Sequence, residues 1–182
     1  MTNKRFWFTA DWHAGHTNII KYCNRPFKEA GEMDETLLRN YNEVVSEGDI
    51  VFFLGDLTFK IDIAKSLLER MKGDIVYVFG NHDTKILTVL EGRCESVHRL
   101  LDIEVEDQPI TLCHYAMRVW NKSHFDSWQL FGHSHGRLKP AGKQWDVGVD
   151  NNNFKPISFE EIKTLMDKQP HNSDYIGLAK RR

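Results

Sequence analysis

Asp49-Ile50-Val51-Phe52-Phe53-Leu54-Gly55-Asp56, followed further on by Asp74-Ile75-Val76-Tyr77-Val78-Phe79-Gly80-Asn81-His82-Asp83, decides the fold. Each is a short, unbroken apolar run rich in β-branched and aromatic residues, closed by glycine and then by polar groups. That is how a strand buried on both faces reads. Between them, Ile61 to Met71 has the spacing of an amphipathic helix and Gly73 stops it. Working outward, Phe6-Trp7-Phe8-Thr9-Ala10 is a third such run, ending at Asp11, and Asp34 to Ser46 carries Leu37, Leu38, Tyr41, Val44 and Val45 at helical spacing up to Gly48. Strand, helix, strand, helix, strand predicts a parallel sheet with right-handed crossovers. It also predicts that Asp11, Asp56 and Asn81 share the carboxyl end of that sheet, where open α/β folds build their sites.

The second half reads differently. Ser96 to Val105 and Ile110 to Cys113 predict two strands joined by Glu106-Asp107-Gln108-Pro109, with short strands at 129–131 and 144–149. Ser158-Phe159-Glu160-Glu161 is a capping box opening a helix to about Lys168, which Pro170 ends. Residues 1–169 are expected to form one domain, and 170–182 a loosely ordered polar tail ending Lys180-Arg181-Arg182. A formal charge of −2 gives no global attraction to nucleic acid or membrane. Three scattered cysteines, Cys23, Cys94 and Cys113, make neither a disulfide framework nor a thiolate zinc site. No apolar h-region follows Met1, and no run approaches the roughly 18 residues of a membrane span. The expected location is the cytoplasm.

Five blocks carry hard oxygen or imidazole donors: Asp11-Trp12-His13, Gly55-Asp56, Gly80-Asn81-His82-Asp83, His114, and Gly132-His133-Ser134-His135. Singly, each is what local hydrogen bonding favours at a strand end. Together they predict two divalent ions roughly 3.5–4 Å apart, the arrangement suited to phosphoryl-ester chemistry. Asp56, with two oxygens, is the natural bridge. One ion takes Asp11, His13 and His135, and the other takes Asn81, His114 and His133. Asp11 and His13, two residues apart, would point the same way on an extended segment, as would His133 and His135. Asn81 is neutral and keeps the ions acidic. A hydroxide between them would be the nucleophile.

In that order these blocks resemble the calcineurin-like metallophosphoesterase superfamily over roughly residues 6 to 165, in particular its small bacterial, archaeal and phage phosphodiesterases. The resemblance implies an α/β fold, a four-layer αββα sandwich of two mixed β-sheets flanked by helices. It implies Mn²⁺ as the metal, with Fe, Zn²⁺ or Ni²⁺ compatible with the same donors. It also implies that His82 faces the scissile phosphate and donates a proton or hydrogen bond to the leaving oxygen, with Asp83 orienting its ring. Tyr115 stands where many relatives have a small residue, and would shape the pocket. The stretch from Gly15 to Phe27 resembles an insertion in a subset of small, functionally unassigned relatives. Within it, His16 would contact substrate phosphate or cap a helix near Thr17, and Arg25 would bind phosphate or form a surface ion pair. The expected substrate is a phosphodiester of nucleotide or nucleic-acid type. Arg118, Trp120, Lys122 and Trp128 mix aromatics and cations that would either hold a base and its phosphate or form an ordinary aromatic surface loop. A phosphomonoesterase, aided by Lys21, Arg25, Arg118 and Arg137, is the alternative. A binding module that kept the fold without hydrolysis is a third reading. His98, His124 and His171 are expected to be surface or packing residues.

Overall fold

A computed structural model of the protein describes residues 4–177. The first sheet runs β4-β3-β2-β1-β9. Its members are β1 (Phe6–Thr9), β2 (Ile50–Phe53), β3 (Asp74–Val78), β4 (Ser96–His98) and β9 (Ile157–Ser158). The first four are parallel and β9 is antiparallel. The second sheet runs β5-β6-β7-β8, formed by β5 (Leu100–Val105), β6 (Gln108–Cys113), β7 (Trp128–Phe131) and β8 (Gln144–Asp146). It too is mixed, antiparallel at β5/β6 and parallel elsewhere. Flanking them are α1 (Thr17–Tyr22), α2 (Ala30–Val44), α3 (Ile61–Arg70), α4 (Leu87–Arg93) and α5 (Phe159–Lys168). The fold class expected from the resemblance is the one observed.

Strand alternation sorts the first sheet's side chains into two cores. Trp7, Val51, Phe53, Ile75 and Tyr77 pack under the helices with Met33, Leu37, Tyr41, Leu67 and Leu90. Phe8, Phe52, Leu54 and Val78 point the other way and meet Val105, Ile110, Leu112 and Leu130 of the second sheet. Phe159, Ile162 and Met166 of α5 complete this inter-sheet core, and Ser158 caps the helix reciprocally with Glu161, as its sequence implies. On the other side of the second sheet, the buried amides of Gln129 and Gln144 bond one another and the carbonyls of Tyr115 and Met117, so the loop after β6 covers that face.

Three expectations need correcting. Ser96 to Val105 is two strands rather than one: the chain leaves the first sheet at His98 and enters the second at Leu100. The turn after β5 takes only Glu106 and Asp107, both left-handed (φ 48° and 63°), so Gln108 and Pro109 belong to β6. Residues 171–177 are pinned rather than loose. The Asn172 side chain is buried and donates to the Ser123 and Ser127 carbonyls, Asp174 accepts from Ser123 Oγ, and the Ile176 N–H reaches the His124 carbonyl. Lys180-Arg181-Arg182 lies outside the described residues. Among those residues, no helix is long and apolar enough to cross a membrane.

Candidate metal centre

Each donor block leaves the carboxyl end of a strand: Asp11 and His13 after β1, Asp56 after β2, Asn81 and His82 after β3, His114 after β6, His133 and His135 after β7. The convergence depends on backbone geometry that the sequence does not display. Asp11, His13, Asp56, His133 and His135 all have left-handed φ (60°, 51°, 60°, 66° and 51°). Neither Asp11–His13 nor His133–His135 is therefore the extended segment expected. Such non-glycine conformations are uncommon and persist only where the surroundings hold them. Here the Asp11 and His13 N–H groups bond the Gly55 and Asp56 carbonyls. Trp12 is buried between them, edge-on to Tyr41, with its indole N–H on Thr9 Oγ1.

The donor atoms of Asp11, His13 and His135 lie within 4.8 Å of one another, and so do those of Asp56, His114 and His133. Asn81 Oδ1 is 3.0 Å from both His114 Nε2 and His133 Nδ1. Asp56 Oδ2 stands between the groups, 3.6 Å from His13 Nε2 and 3.4 Å from His114 Nε2. His82 joins His13 and Asp56 in a third overlapping set. His114 Nδ1 is 2.7 Å from the Leu54 carbonyl, which can only accept, so Nδ1 carries a proton and Nε2 is the ring atom turned to the centre.

This donor set fits divalent cations. Asp11 Oδ1 and His13 Nε2 are buried without a hydrogen-bond partner. Burial drives Asp11 up to about 7 and His13 down to about 3. For His114 burial works downward, but its hydrogen bond to Asp56 and the nearby Asp11 charge outweigh it and raise it to about 9. Asp56 is held low: burial opposes, and His114, the His82 N–H and His13 prevail. A largely buried cluster pulled both ways, with unpartnered donor atoms, is what cations would relieve.

Two glycines are required by close approach. A Cβ on Gly80 would lie 2.2 Å from Asp56 Oδ1, and one on Gly132 would lie 2.7 Å from Asp11 Oδ2.

Other candidates have different places. Asp83 does not reach the His82 ring. Its buried Oδ2 accepts the Asp56 and Gly80 N–H groups, so it holds the turns that present Asp56 and Asn81. Arg25 is neither at the surface nor free for phosphate: its guanidinium is 0% exposed and bonded to Asp150, to main-chain carbonyls and to Met33. His16 precedes α1 without a side-chain cap; its ring centroid is 6.1 Å from that of His13. Tyr115 is half-exposed, 4.8 Å between ring centroids from His133. Arg118, Trp120 and Lys122 belong to the loop covering the second sheet, where buried Trp120 bonds the Ser127 carbonyl. Sequence reasoning missed three carboxylates. Asp146 takes the Ser134 hydroxyl and the Gly136 and Gly148 N–H groups, and so shapes the turn that carries His133 and His135. Asp150 accepts from His135 Nδ1 at 2.7 Å, and Asp34 accepts from the Gly15 N–H. Acids recurring inside an apparent apolar strand, Trp145-Asp146-Val147-Gly148-Val149-Asp150, were the available signal for the first two.

Over residues 4–176 the chain matches the calcineurin-like phosphoesterase family, and it belongs to that family. It is 36% identical over 180 residues to an uncharacterised protein of Methanocaldococcus jannaschii, with 92% of this chain and 94% of the relative covered. The gene 66 protein of Mycobacterium phage L5 is 33% identical over 81 residues, 42% of this chain and 39% of the phage protein. A solved structure, a protein of unknown function from Aquifex aeolicus, shares the fold with a TM-score of 0.71 at 24% identity, over 90% of this chain and 100% of that one. The family makes the protein a phosphoesterase, a hydrolase of phosphoester substrates with candidate groups for divalent metals.

Proposed function

We propose that the protein is a two-metal phosphodiesterase acting on a nucleotide-type ester. The observation that carries this reading is the position of Asp56 Oδ2, within 3.6 Å of a ring nitrogen in each of the two donor groups. Asp11, His13 and His135 would hold one cation, Asn81, His114 and His133 the other, and Asp56 both. When bound, the pair supplies Lewis-acid stabilisation of the phosphoryl oxygens and makes water a competent nucleophile at neutral pH. Mn²⁺ is the first choice, and Fe, Zn²⁺ and Ni²⁺ suit the same donors.

His82 is the proton donor to the departing oxygen. It is exposed at the mouth, its ring 5.3 Å from that of His13, with its N–H anchored on Asp56 Oδ1 at 2.9 Å. A group there meets substrate from the solvent side while the buried donors stay behind it. Asp83 fixes the turn on which His82 stands. Two half-exposed to exposed aromatics flank the centre: Tyr115 against His133 and Tyr22 against His16. Such faces suit base stacking. Burial of Arg25 takes one cation away from the mouth, which favours the single charge of a diester over the double charge of a monoester. The odd, scattered set Cys23, Cys94 and Cys113 suits a cytoplasmic setting.

Metal-stripped protein, resupplied with each cation and assayed on a mono-aryl and a bis-aryl phosphate, tests the reading. The bis-aryl ester should turn over faster with Mn²⁺. Turnover confined to the mono-aryl ester would hand the site to the monoesterase alternative. Cation binding with no turnover of any phosphoester would favour the binding module.

A further inference from the structure

Arg25 uses all its N–H donors inside the protein. Nε and Nη2 grip Asp150 Oδ1 and Oδ2 at 2.7 Å each, and Nη1 and Nη2 reach the Trp12 and Asp11 carbonyls, also at 2.7 Å. The remaining contact is to Met33 Sδ at 3.3 Å. Asp150 Oδ2 in turn accepts from His135 Nδ1, which leaves His135 Nε2 as that ring's free donor atom. One guanidinium thus ties the left-handed Asp11–His13 turn to the carboxylate that orients His135. Asp11 and His13 lie more than 120 residues from His135, and the three share one candidate cation with Asp56. Among the described residues the other donor group is braced without an arginine: His114 rests on a main-chain carbonyl, Asp83 holds the turns of Asp56 and Asn81, and Asn81 and His133 are exposed.

A buried ion pair is a poor device for stability, because desolvation offsets most of its attraction. It is a good device for fixing geometry, since the planar fork of arginine grips a carboxylate and carbonyls in one arrangement. We propose that Arg25 and Asp150 are positioning residues that set the cation affinity of the Asp11–His13–His135 group and of that group alone. Delivering this guanidinium is then the task of the segment from Gly15 to Phe27. The inference rests on the two-metal reading above.

The test is calorimetric titration of Mn²⁺ into stripped full-length protein, for wild type, D150N, H135A and the D150N/H135A double variant. Wild type should show two binding events. D150N, which keeps the shape but loses the charge, should weaken one event by about 10–100-fold and leave the other unchanged. In the H135A background D150N should weaken that event less, because only the route through Arg25 to the Asp11–His13 turn remains. R25K repeats the test should D150N fail to fold, since it retains the charge and loses the fork; the same single event should weaken. Equal weakening of both events, no weakening, or a D150N effect undiminished without His135 would overturn the proposal. So would collapse of both D150N and R25K, which would make the pair purely architectural. A wild type with fewer than two events removes the two-metal reading itself, and is told apart because it needs no variant.

Discussion

The floor of the centre and its rim are built by different means. Asp11, His13, Asp56 and His114 are each no more than 4% exposed, whereas Asn81, His82, His133 and Tyr115 are open to solvent. On the floor, burial displaces Asp11 and His13 while Asp56 and Asp11 hold His114 up, three of the four residues have left-handed backbone, and neighbouring turns bond the Asp11 and His13 N–H groups. On the rim, His82 and Tyr115 are placed through ring contacts with His13 and His133. The difference teaches that changes to the floor should be read in metal content, and changes to the rim in rate or substrate preference.

The largest effect should come from the floor. Asp56→Ala removes the one carboxylate within reach of both groups and an anchor for the His82 N–H. Turnover should vanish and metal stoichiometry should fall, measured by elemental analysis after gel filtration. Undiminished loading in this variant would erase the contrast. His82→Asn, on the rim, should cut kcat by about 10²-fold on an ester with a poor leaving group while metal content stays at the wild-type level. Full activity on that ester would remove His82 from acid catalysis.

Proton linkage sharpens the comparison further. In the cation-free protein, His114 raised to about 9 and Asp11 raised to about 7 hold protons near neutrality. Cations must displace those protons, so binding should release them and affinity should climb as pH rises from 7 towards 9. Titration in buffers of different ionisation enthalpy reads this directly, and a heat independent of buffer would contradict it. The smallest effect belongs to Tyr115→Ala. Loss of one stacking face, worth about 1 kcal/mol, should raise KM about fivefold for a nucleotide diester and leave a small aryl diester unaffected. Equal changes for both would mean that the ring shapes the mouth without reading a base.

How much was legible follows the same physics. β1, β2 and β3 were plain because both faces are buried, so their runs are unbroken. The second sheet was harder. Gln129 and Gln144 look solvent-facing in sequence but are buried under a loop whose path the pattern does not encode. Where the chain changes sheets, His98-Arg99-Leu100-Leu101 interrupts the apolar–polar alternation of Leu101 to Val105, a local mark of the break inside what reads as one strand. α1 and α4 are only six and seven residues long, too short to show a period. At the centre, donor identities were readable because few residue types serve divalent cations. The left-handed turns that aim them were not, since Asp and His carry no glycine-like signature. Arg25 was misplaced for a similar reason: its fate is decided by Asp150, distant in sequence and hidden at the end of an apparent strand.

Anomalous diffraction from crystals soaked in Mn²⁺ tests the whole most directly. Two peaks should appear, about 3.5–4 Å apart, with Asp56 touching both and Asp11, His13 and His135 gathered on one side. A single peak, no peak, or peaks away from the five converging turns would contradict a shared-carboxylate pair.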